Sequence, residues 1–299
     1  MIAESIEDFI AALMLEKGMA RNTCVSYRSD LGFFAAFLKE RGKDDPAKIT
    51  RDDIVEFLQE ERTDGKASTT RARRTAAIRQ FLKHLKERRL IAHDPAELLD
   101  AAKKERALPK TLSEPEVFAM LDKIDGDDPR SLRDRAILEV LYGCGMRVSE
   151  LCAFKVEDIV ADGELVRIYG KGSKERLVPI GGAAARALLD YLERGRVFFT
   201  KGDLSETHVF VTRLAKPFTR QGIFKIIKER ALAVDIAPEK ISPHVLRHCF
   251  ASHMLAHGAD IRAIQELLGH ADIGTTQIYT HVDRSRFSEI HKKHPRHFA

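Results

Sequence analysis

Four successive helical segments in the first hundred residues constrain the fold of this chain more than any other feature. Each segment carries apolar residues at helical spacing and leads into a short polar connection. In the fourth segment, Ile78, Phe81, Leu82 and Leu85 lie on one face, which is the pattern of a helix packed against a core. We therefore expect a compact helical domain over residues 1–100.

Capping residues predict where these helices begin and end. Ser5, Asn22 and Thr50 are placed as N-caps, because each side chain can accept a hydrogen bond from a free backbone N–H of the first turn. Gly18 and Gly42 are placed as helix stops, because glycine readily adopts the left-handed conformation found there.

The remainder of the chain predicts a second, larger domain. Residues 101–110 are polar, basic and interrupted by a proline, which is typical of a linker, so the second domain is placed at 111–299. It is mostly helical in pattern, but residues 164–180 hold two β-like runs, LVRIY and RLVPI, joined by a loop that carries Lys171. Such a pattern indicates a β-hairpin. The expected fold class is mainly α, with a small antiparallel sheet in the second domain.

Positive charge is concentrated in the fourth helix. The net charge of the whole chain is +5, yet residues 62–89 contain ten basic and two acidic residues. Such a cluster is typical of a surface that tracks the phosphates of nucleic acid, although a solvated helix face is the alternative. The arginines that would contact DNA are Arg71, Arg73, Arg74 and Arg79.

Membrane, secretory and disulfide-rich classes are excluded by composition. No apolar run reaches the ~20 residues that span a bilayer, and the N-terminus has no signal-peptide pattern. The four cysteines are scattered and form no CxxC pair, as expected for buried thiols in a reducing cytosol. We expect a cytoplasmic protein without a membrane partner.

Two arginines and a histidine are placed at helix starts. Arg147 follows two glycines in GCGMRVSEL and stands where a helix begins again, a position suited to gripping an anion. Taken alone, a salt bridge to Glu150 is the simpler interpretation. In SPHVLRHCFASHMLAHG, Ser242 is placed as the N-cap, so that His244 and Arg247 share one face of the first turn.

A metal site is the competing interpretation of this histidine-rich helix. His244 and His248, and likewise His253 and His257, are spaced four residues apart. Zinc usually requires a carboxylate or thiolate as well, and Arg247 would place a cation beside it. We therefore expect no metal.

His270 and Tyr279 complete the set of candidate residues. The helix DIRAIQELL is expected to stop at Gly269, which places His270 directly after it. Tyr279 falls in the first turns of the next helix. Each residue alone is more often structural than catalytic. Together with the arginines and the hairpin lysine they suit phosphoryl transfer to a tyrosine, which needs a nucleophile, cations for the phosphate and an acid for the leaving oxygen. No cofactor is needed, because the phosphotyrosyl bond conserves the energy for religation.

These motifs resemble the tyrosine site-specific recombinases of the phage-integrase family, which share a catalytic domain with type IB topoisomerases. The resemblance rests on GCGMRVSEL, YGKGSKERLVPI, the stretch SPHVLRH to QIYTH and the histidine-rich tail. It covers nearly the full length and is strongest to the Xer recombinases of bacteria.

The resemblance implies a role for each candidate. Tyr279 would attack DNA to form a 3′-phosphotyrosyl linkage, and Arg147 and Arg247 would hold the phosphate. Lys171 would protonate the 5′ oxygen. The two histidines implied are His244, in proton transfer to or from the nucleophile, and His270, hydrogen-bonded to the phosphate. Arg220 and the helix that carries Arg71–Arg79 would reach DNA.

The resemblance also implies an assembly. Two domains would clamp double-stranded DNA at a specific site, four protomers would exchange strands through a Holliday junction, and the C-terminal tail would dock on a neighbour. A second related recombinase and a DNA translocase would be partners in resolving chromosome dimers. A phage or transposon integrase, or a type IB topoisomerase, is the alternative with the same active site. A non-catalytic DNA-binding protein is less consistent, since all six polar residues are present.

Overall fold

A computed structural model describes residues 1–97, 111–170, 175–203, 205–269 and 289–297. The chain divides into two compact units, Met1–Leu108 and Pro109–Ala299. Each unit has its own buried apolar cluster. The predicted linker, residues 101–110, lies outside the described residues, so its bounds stay a prediction.

The first unit is helical throughout its described length. Four of its helices bring aromatic rings together in the core, where the ring centroids of Phe9 and Phe81 lie 5.7 Å apart and those of Phe34 and Phe57 lie 5.2 Å apart. The stripe predicted in the fourth helix is fully buried. The helices are α1 (Ile2–Leu15), α2 (Arg21–Glu40), α3 (Arg51–Thr63) and α4 (Ser68–Glu87).

The predicted helix ends are partly correct. Thr50 caps α3, with Asp53 reaching back to the Thr50 N–H. Gly18 and Gly42 have φ values of +57° and +71°, as expected for helix stops. The predictions of Ser5 and Asn22 as N-caps are wrong, because α1 and α2 begin earlier and make no side-chain cap bond. The Ser5 hydroxyl instead donates to the Met1 carbonyl within the first turn of α1.

The second unit combines eight helices with a small sheet in its described residues. The predicted hairpin is confirmed: β2 and β3 pair antiparallel with Val166 opposite Val178, and β1 adds a short third strand at the edge of β2. Residues 171–174, which join β2 and β3, lie outside the described residues. The strands are β1 (Ile159–Val160), β2 (Leu165–Tyr169) and β3 (Glu175–Pro179).

Helix α6 forms the centre of this unit, because nearly all of its residues from Leu132 onward are buried. It packs against α8 and α11. At Gly143 it approaches α8 so closely that an added Cβ would lie 2.8 Å from the Ala184 Cβ. A π-helical turn, Tyr191–Arg196, connects α8 to α9. The helices are α5 (Glu114–Asp122), α6 (Pro129–Gly143), α7 (Val148–Ala153), α8 (Gly182–Asp190), α9 (Val197–Thr200), α10 (Arg220–Leu232), α11 (Val245–Ala256) and α12 (Ile261–Leu268).

The mainly α fold class with a small antiparallel sheet is confirmed. Among the described residues, no helix is both long and apolar enough to cross a membrane.

Candidate active site

Arg147 stands at the start of α7, as its sequence context predicts. Three residues, Cys144, Gly145 and Met146, separate it from the end of α6, and Arg147 is the N-cap of α7. Its backbone N–H donates to Glu150 Oε2 at 2.8 Å, and its Nη1 donates to Glu150 Oε1 at 2.6 Å. The salt bridge that the spacing suggested is therefore present. About a third of the Arg147 side chain remains exposed, at 34%, so the guanidinium can still meet a ligand.

Glu150 is a buried carboxylate shared by three arginines. Besides Arg147, Arg176 donates to both of its oxygens at 3.0 and 2.8 Å, and Arg247 Nη1 lies 3.9 Å from Oε2. Burial alone would raise the pKa of Glu150. The hydrogen bonds and charge of Arg176, followed by those of Arg147, bring that pKa below its ordinary value instead. The carboxylate is thus ionised at neutral pH and holds the cations together.

Arg176 is a residue of the site that sequence reasoning missed. It lies on β3, on the same buried face as Val178, and its Nε donates to the Leu267 carbonyl at 2.8 Å. An arginine that alternates in step with the apolar residues of a strand indicates a charge on the buried face, because alternate side chains share one face. Its partner Glu150 is 26 residues away in sequence, so the pairing itself cannot be read from the strand.

Arg247 reaches the same cluster from α11. Its Nη1 donates to the Gly145 carbonyl at 2.7 Å and its Nη2 to the Leu268 carbonyl at 2.6 Å. Burial, followed by the charge of Arg147, lowers the pKa of Arg247 to about 10, which leaves it charged at pH 7. Two arginines therefore lie side by side, one fixed through Glu150 and the other through backbone carbonyls. Neighbouring cations held in this way suit a phosphate.

His244 lies next to these arginines and is exposed. It is itself the N-cap of α11, so the prediction of Ser242 as the cap is wrong: α11 begins at Val245, and the Ser242 hydroxyl only accepts a 3.4 Å bond from the His244 N–H. Partial desolvation, then the charges of His248, Arg247 and Arg147, lower the pKa of His244. The imidazole is therefore neutral at pH 7 and able to exchange a proton.

Three predicted site residues, Lys171, His270 and Tyr279, lie outside the described residues. The residues that flank them do border the arginine cluster. Arg176 is the second residue of β3, directly beyond the hairpin tip. The Leu268 carbonyl bound by Arg247 belongs to the last residue of α12, and Gly269 ends that helix with φ +67°.

The histidine pairs on α11 do not form a metal site in the described part of the chain, where no group of three or more histidine, cysteine or acidic side chains could hold an ion. His253 faces the core, with Nδ1 2.9 Å from the Tyr142 hydroxyl and Nε2 2.9 Å from the Leu112 carbonyl. His257 contacts Glu114 at the surface.

The arginines predicted to contact DNA have different environments. Arg74 is buried, with ion pairs to Asp30 and Glu61. Arg73 donates two hydrogen bonds, of 2.6 and 2.9 Å, to the same Asp30 carboxylate, but about half of its side chain is exposed. Arg71 and Arg79 are partly exposed, and Arg220 is exposed at the first turn of α10.

We expect Glu150→Gln to destabilise the protein at pH 7 by about 3–5 kcal/mol, because it leaves buried arginines without their shared anion. A carboxylate with a lowered pKa stabilises the fold above its ordinary value of 4.5 and loses this effect as pH falls through the folded-state pKa. The difference between variant and wild type in urea unfolding should therefore shrink below pH 4.5. Glu157→Gln, at an exposed ion pair with Lys155, is the matched control and should change little. Equal stability of the two variants would contradict the role of Glu150.

Comparison with known proteins identifies the family of the chain. A model described as the phage integrase family matches residues 110–286. A second model, described as the phage integrase N-terminal SAM-like domain, matches residues 6–89.

Relatives and solved structures match over nearly the whole chain. Tyrosine recombinase XerD of Yersinia pestis is 42% identical over 289 residues, covering 97% of this chain and 96% of that protein. Tyrosine recombinase XerD of Listeria monocytogenes serotype 4b (strain F2365) is 40% identical over 294 residues, covering 97% and 98%. For the fold alone, the XerH recombinase bound to palindromic difH substrate gives a TM-score of 0.70 at 21% identity, with 96% and 83% covered. A lambda integrase dimer bound to a COC′ core site gives a TM-score of 0.69 at 17% identity, with 98% of this chain and 77% of that chain covered.

Family models over both units and a relative above 40% identity over almost all of the sequence agree with the motifs. The chain belongs to the phage integrase family and is a tyrosine recombinase, an enzyme that cuts and rejoins DNA.

Proposed function

We propose that this protein is a Xer-type site-specific recombinase whose nucleophile is Tyr279. The observation that carries the proposal is the pair of guanidinium groups of Arg147 and Arg247, held beside the exposed, neutral His244. Such an arrangement offers charge for a phosphate and a group for proton transfer at a single place. The relatives matched over almost the full chain are named as tyrosine recombinases.

Each residue has a place in a balanced reaction. The Tyr279 oxygen attacks the phosphorus of a DNA phosphodiester and loses its proton, with neutral His244 in proton transfer. The bond from phosphorus to the 5′ oxygen breaks, and Lys171 protonates that oxygen. Arg147, Arg247 and His270 stabilise the charge on the non-bridging oxygens. Attack by a 5′ hydroxyl on the phosphotyrosyl bond reverses these steps, so the exchange needs neither an external energy source nor a cofactor.

The proposed substrate is double-stranded DNA with a specific recombination site. A neighbour of this fold is a lambda integrase tetramer bound to a Holliday junction, and we propose the same kind of tetramer here. A second, XerC-like recombinase and a DNA translocase are the proposed partners in resolving chromosome dimers in the cytoplasm. A phage or transposon integrase or a type IB topoisomerase-like enzyme is the alternative, which a comparison of strand exchange with relaxation of supercoiled DNA would separate.

Covalent trapping tests the reaction. A nicked duplex that carries the recombination site loses the short 5′ product after cleavage, so the protein should accumulate as a DNA adduct on a denaturing gel in the presence of a chelator. Nuclease and protease digestion followed by mass spectrometry should locate the DNA phosphate on Tyr279. An adduct at another residue, or none with a duplex that the protein binds, would contradict the proposal.

We propose that Arg71 and Arg79, rather than Arg74, carry phosphate contacts of α4. Arg74 is committed to Asp30 and Glu61 inside the first unit. The Nε of Arg71 is buried without a hydrogen-bond partner, which leaves its guanidinium only partly satisfied by the described residues. Arg73 and Arg220 keep exposed surface and stay candidates for DNA contact.

We expect alanine at Arg71 and Arg79 to weaken DNA binding and to reduce the slope of log affinity against log salt by about 0.9 for each phosphate that is no longer neutralised. Arg74→Ala should instead destabilise the first unit by about 3 kcal/mol, because buried carboxylates are left without their partner. The measurements are a salt series of binding constants and urea unfolding. Arg28→Ala removes one positive charge from an exposed pair with Glu7, outside the basic cluster, and is the control. An unchanged salt slope in the Arg71 and Arg79 variant would refute the assignment.

A further inference from the structure

A buried carboxylate on α2 holds an exposed arginine of α4. The Asp30 side chain is 1% exposed, whereas 48% of the Arg73 side chain is exposed. Arg73 Nε donates to Asp30 Oδ2 at 2.6 Å, and Arg73 Nη2 donates to Asp30 Oδ1 at 2.9 Å. Two parallel bonds of this kind fix both the plane and the direction of the guanidinium.

This contact uses only one edge of the Arg73 guanidinium. Asp30 occupies the side edge, which is formed by Nε–H and one N–H of Nη2. The outer edge is formed by Nη1 and the second N–H of Nη2. Within the described part of the chain, Nη1 of Arg73 makes no hydrogen bond. Two donors of a rigid, planar fork are therefore left for a partner outside the protein.

Asp30 is itself anchored from inside the first unit. Arg74 Nε donates to Asp30 Oδ1 at 3.3 Å, and Arg74 Nη1 donates to Glu61 on α3. The Arg74 guanidinium also lies over the Phe33 ring, 4.1 Å from its centroid. Because α2, α3 and α4 all contribute to this network, the Asp30 carboxylate keeps one orientation. The direction of Arg73 is thus set by the packed interior of the unit.

Small side chains flank Arg73 on the exposed face of α4. Thr69 lies one turn before Arg73 and Ala76 lies one turn after it, and both are exposed. Glu87, at the far end of α4, is the single acidic residue of this helix. A polyanion can therefore approach Arg73 without meeting a bulky or acidic side chain of α4 within one turn.

We propose that Arg73 reads a guanine of the DNA site and that Asp30 is the positioning residue that presents its outer edge. Guanine places two acceptors, O6 and N7, side by side in the major groove, and the paired N–H groups of an arginine match them. None of the other three bases presents two acceptors there. This inference rests on the proposed function, because it takes DNA with a specific sequence as the substrate.

The ion pair favours a base over a phosphate as the partner of Arg73. Asp30 offsets the positive charge of Arg73, which weakens the attraction of this residue for a phosphate. The directions of the remaining N–H groups are unaffected, and a neutral base edge is recognised through those directions. Arg71 and Arg79 form no ion pair among the described residues, and phosphate contacts suit them better.

Selection from randomised duplexes tests sequence reading without cleavage. The full-length protein is bound to duplexes with a randomised central segment, and the bound DNA is sequenced. The wild type should enrich a site that requires one particular G·C pair. Arg73→Lys keeps the charge but lacks the planar fork, so its preference for that pair should fall by about tenfold or more while the other positions of the site are kept.

Asp30→Asn separates positioning from folding. An amide offers one acceptor atom instead of two, so Arg73 loses one of its two bonds and its outer edge is no longer held. The preference for the G·C pair should fall by a similar factor. Binding to a duplex of unrelated sequence should stay the same or become tighter, because a negative charge is removed, whereas general loss of structure would weaken binding to every sequence.

Glu7→Gln is the matched control for this substitution. It removes the same charge beside an exposed arginine, Arg28, and should keep the wild-type preference at every position. If Asp30→Asn does not fold, Arg73→Lys still decides the matter, because its side chain is half exposed.

Replacement of the selected guanine by 7-deazaguanine tests the contact at a single atom, because it removes N7 and keeps the base pair. The wild type should bind the modified duplex about fivefold or more weakly, whereas Arg73→Lys should bind both duplexes within about twofold of each other.

The outcomes separate this inference from the proposed function. An unchanged preference in Arg73→Lys, or binding that is weakened equally on all sequences, would overturn the reading of guanine and leave the recombinase assignment intact. A wild-type protein that enriches no sequence would overturn both. A covalent adduct mapped to a residue other than Tyr279 would refute that nucleophile and leave the role of Arg73 standing.

Discussion

Tyr279→Phe should abolish the covalent adduct and strand exchange altogether, a loss on the order of 10⁴-fold or more, since no side chain then supplies the attacking oxygen. The substitution removes one oxygen and keeps the ring, so affinity for duplex DNA and the free energy of unfolding should remain close to those of the wild type. Adduct formation on a denaturing gel, binding by fluorescence anisotropy and urea unfolding measure the three quantities. Tyr169→Phe is the control, because Tyr169 is exposed at the end of β2. This variant should cleave DNA at the wild-type rate.

The variant separates chemistry from folding. A Tyr279→Phe protein that still forms the adduct would show that another group is the nucleophile. The neighbouring His281 is the residue to test next in that event. A variant that loses DNA binding or stability together with cleavage would show that Tyr279 acts mainly through packing.

Local patterns predicted the parts of the fold that local forces decide. Thr50 begins a helix and Gly269 ends one as expected, because the effect of each depends on backbone groups within one turn. The hairpin of β2 and β3 was also predictable, since its alternation and loop lie within 17 residues. The predictions of Ser5 and Ser242 as caps are wrong, because α1 begins at Ile2 and α11 begins at Val245.

Charge counting identified the basic helix but not which arginines are free. Arg74 looks like its neighbours in sequence, yet it is buried against Asp30, 44 residues earlier, and Glu61, 13 residues earlier. Nothing in the helical segment itself reveals these partners. The same holds for Arg176 and Glu150, whose bond joins β3 to α7. Tertiary contacts of this kind decide whether an arginine binds a ligand or holds the fold together.

The candidate active site shows the same limit of prediction from local sequence. Arg147, His244 and Arg247 were predicted from helix starts, and the structure brings them together. The carboxylate that organises them was considered only as a competing partner of Arg147. The salt bridge and the anion-binding role of Arg147 are compatible, because Glu150 binds one edge of the Arg147 side chain while another part of it stays exposed. The roles given to Lys171, His270 and Tyr279 are based on the sequence and the resemblance, and they stay predictions.

Arg247→Lys should slow cleavage by about 10²–10³-fold while the protein still binds DNA. Lysine keeps the positive charge but cannot replace a planar fork that donates to the Gly145 and Leu268 carbonyls and still offers N–H groups to a phosphate. The expected loss is that of a donor that acts mainly on the transition state. Single-turnover adduct formation at saturating protein measures it, with affinity from anisotropy expected to change less than about threefold.

Arg230→Lys is the matched control for this substitution, because Arg230 is a half-buried arginine of the same unit that pairs with Asp134. It should cleave within about threefold of the wild type. Urea unfolding shows whether Arg247→Lys acts through stability, since the two backbone carbonyls lose part of their hydrogen bonding, at about 1–3 kcal/mol. Cleavage at the wild-type rate by Arg247→Lys would show that a single positive charge suffices, and the paired guanidinium groups would no longer explain the site.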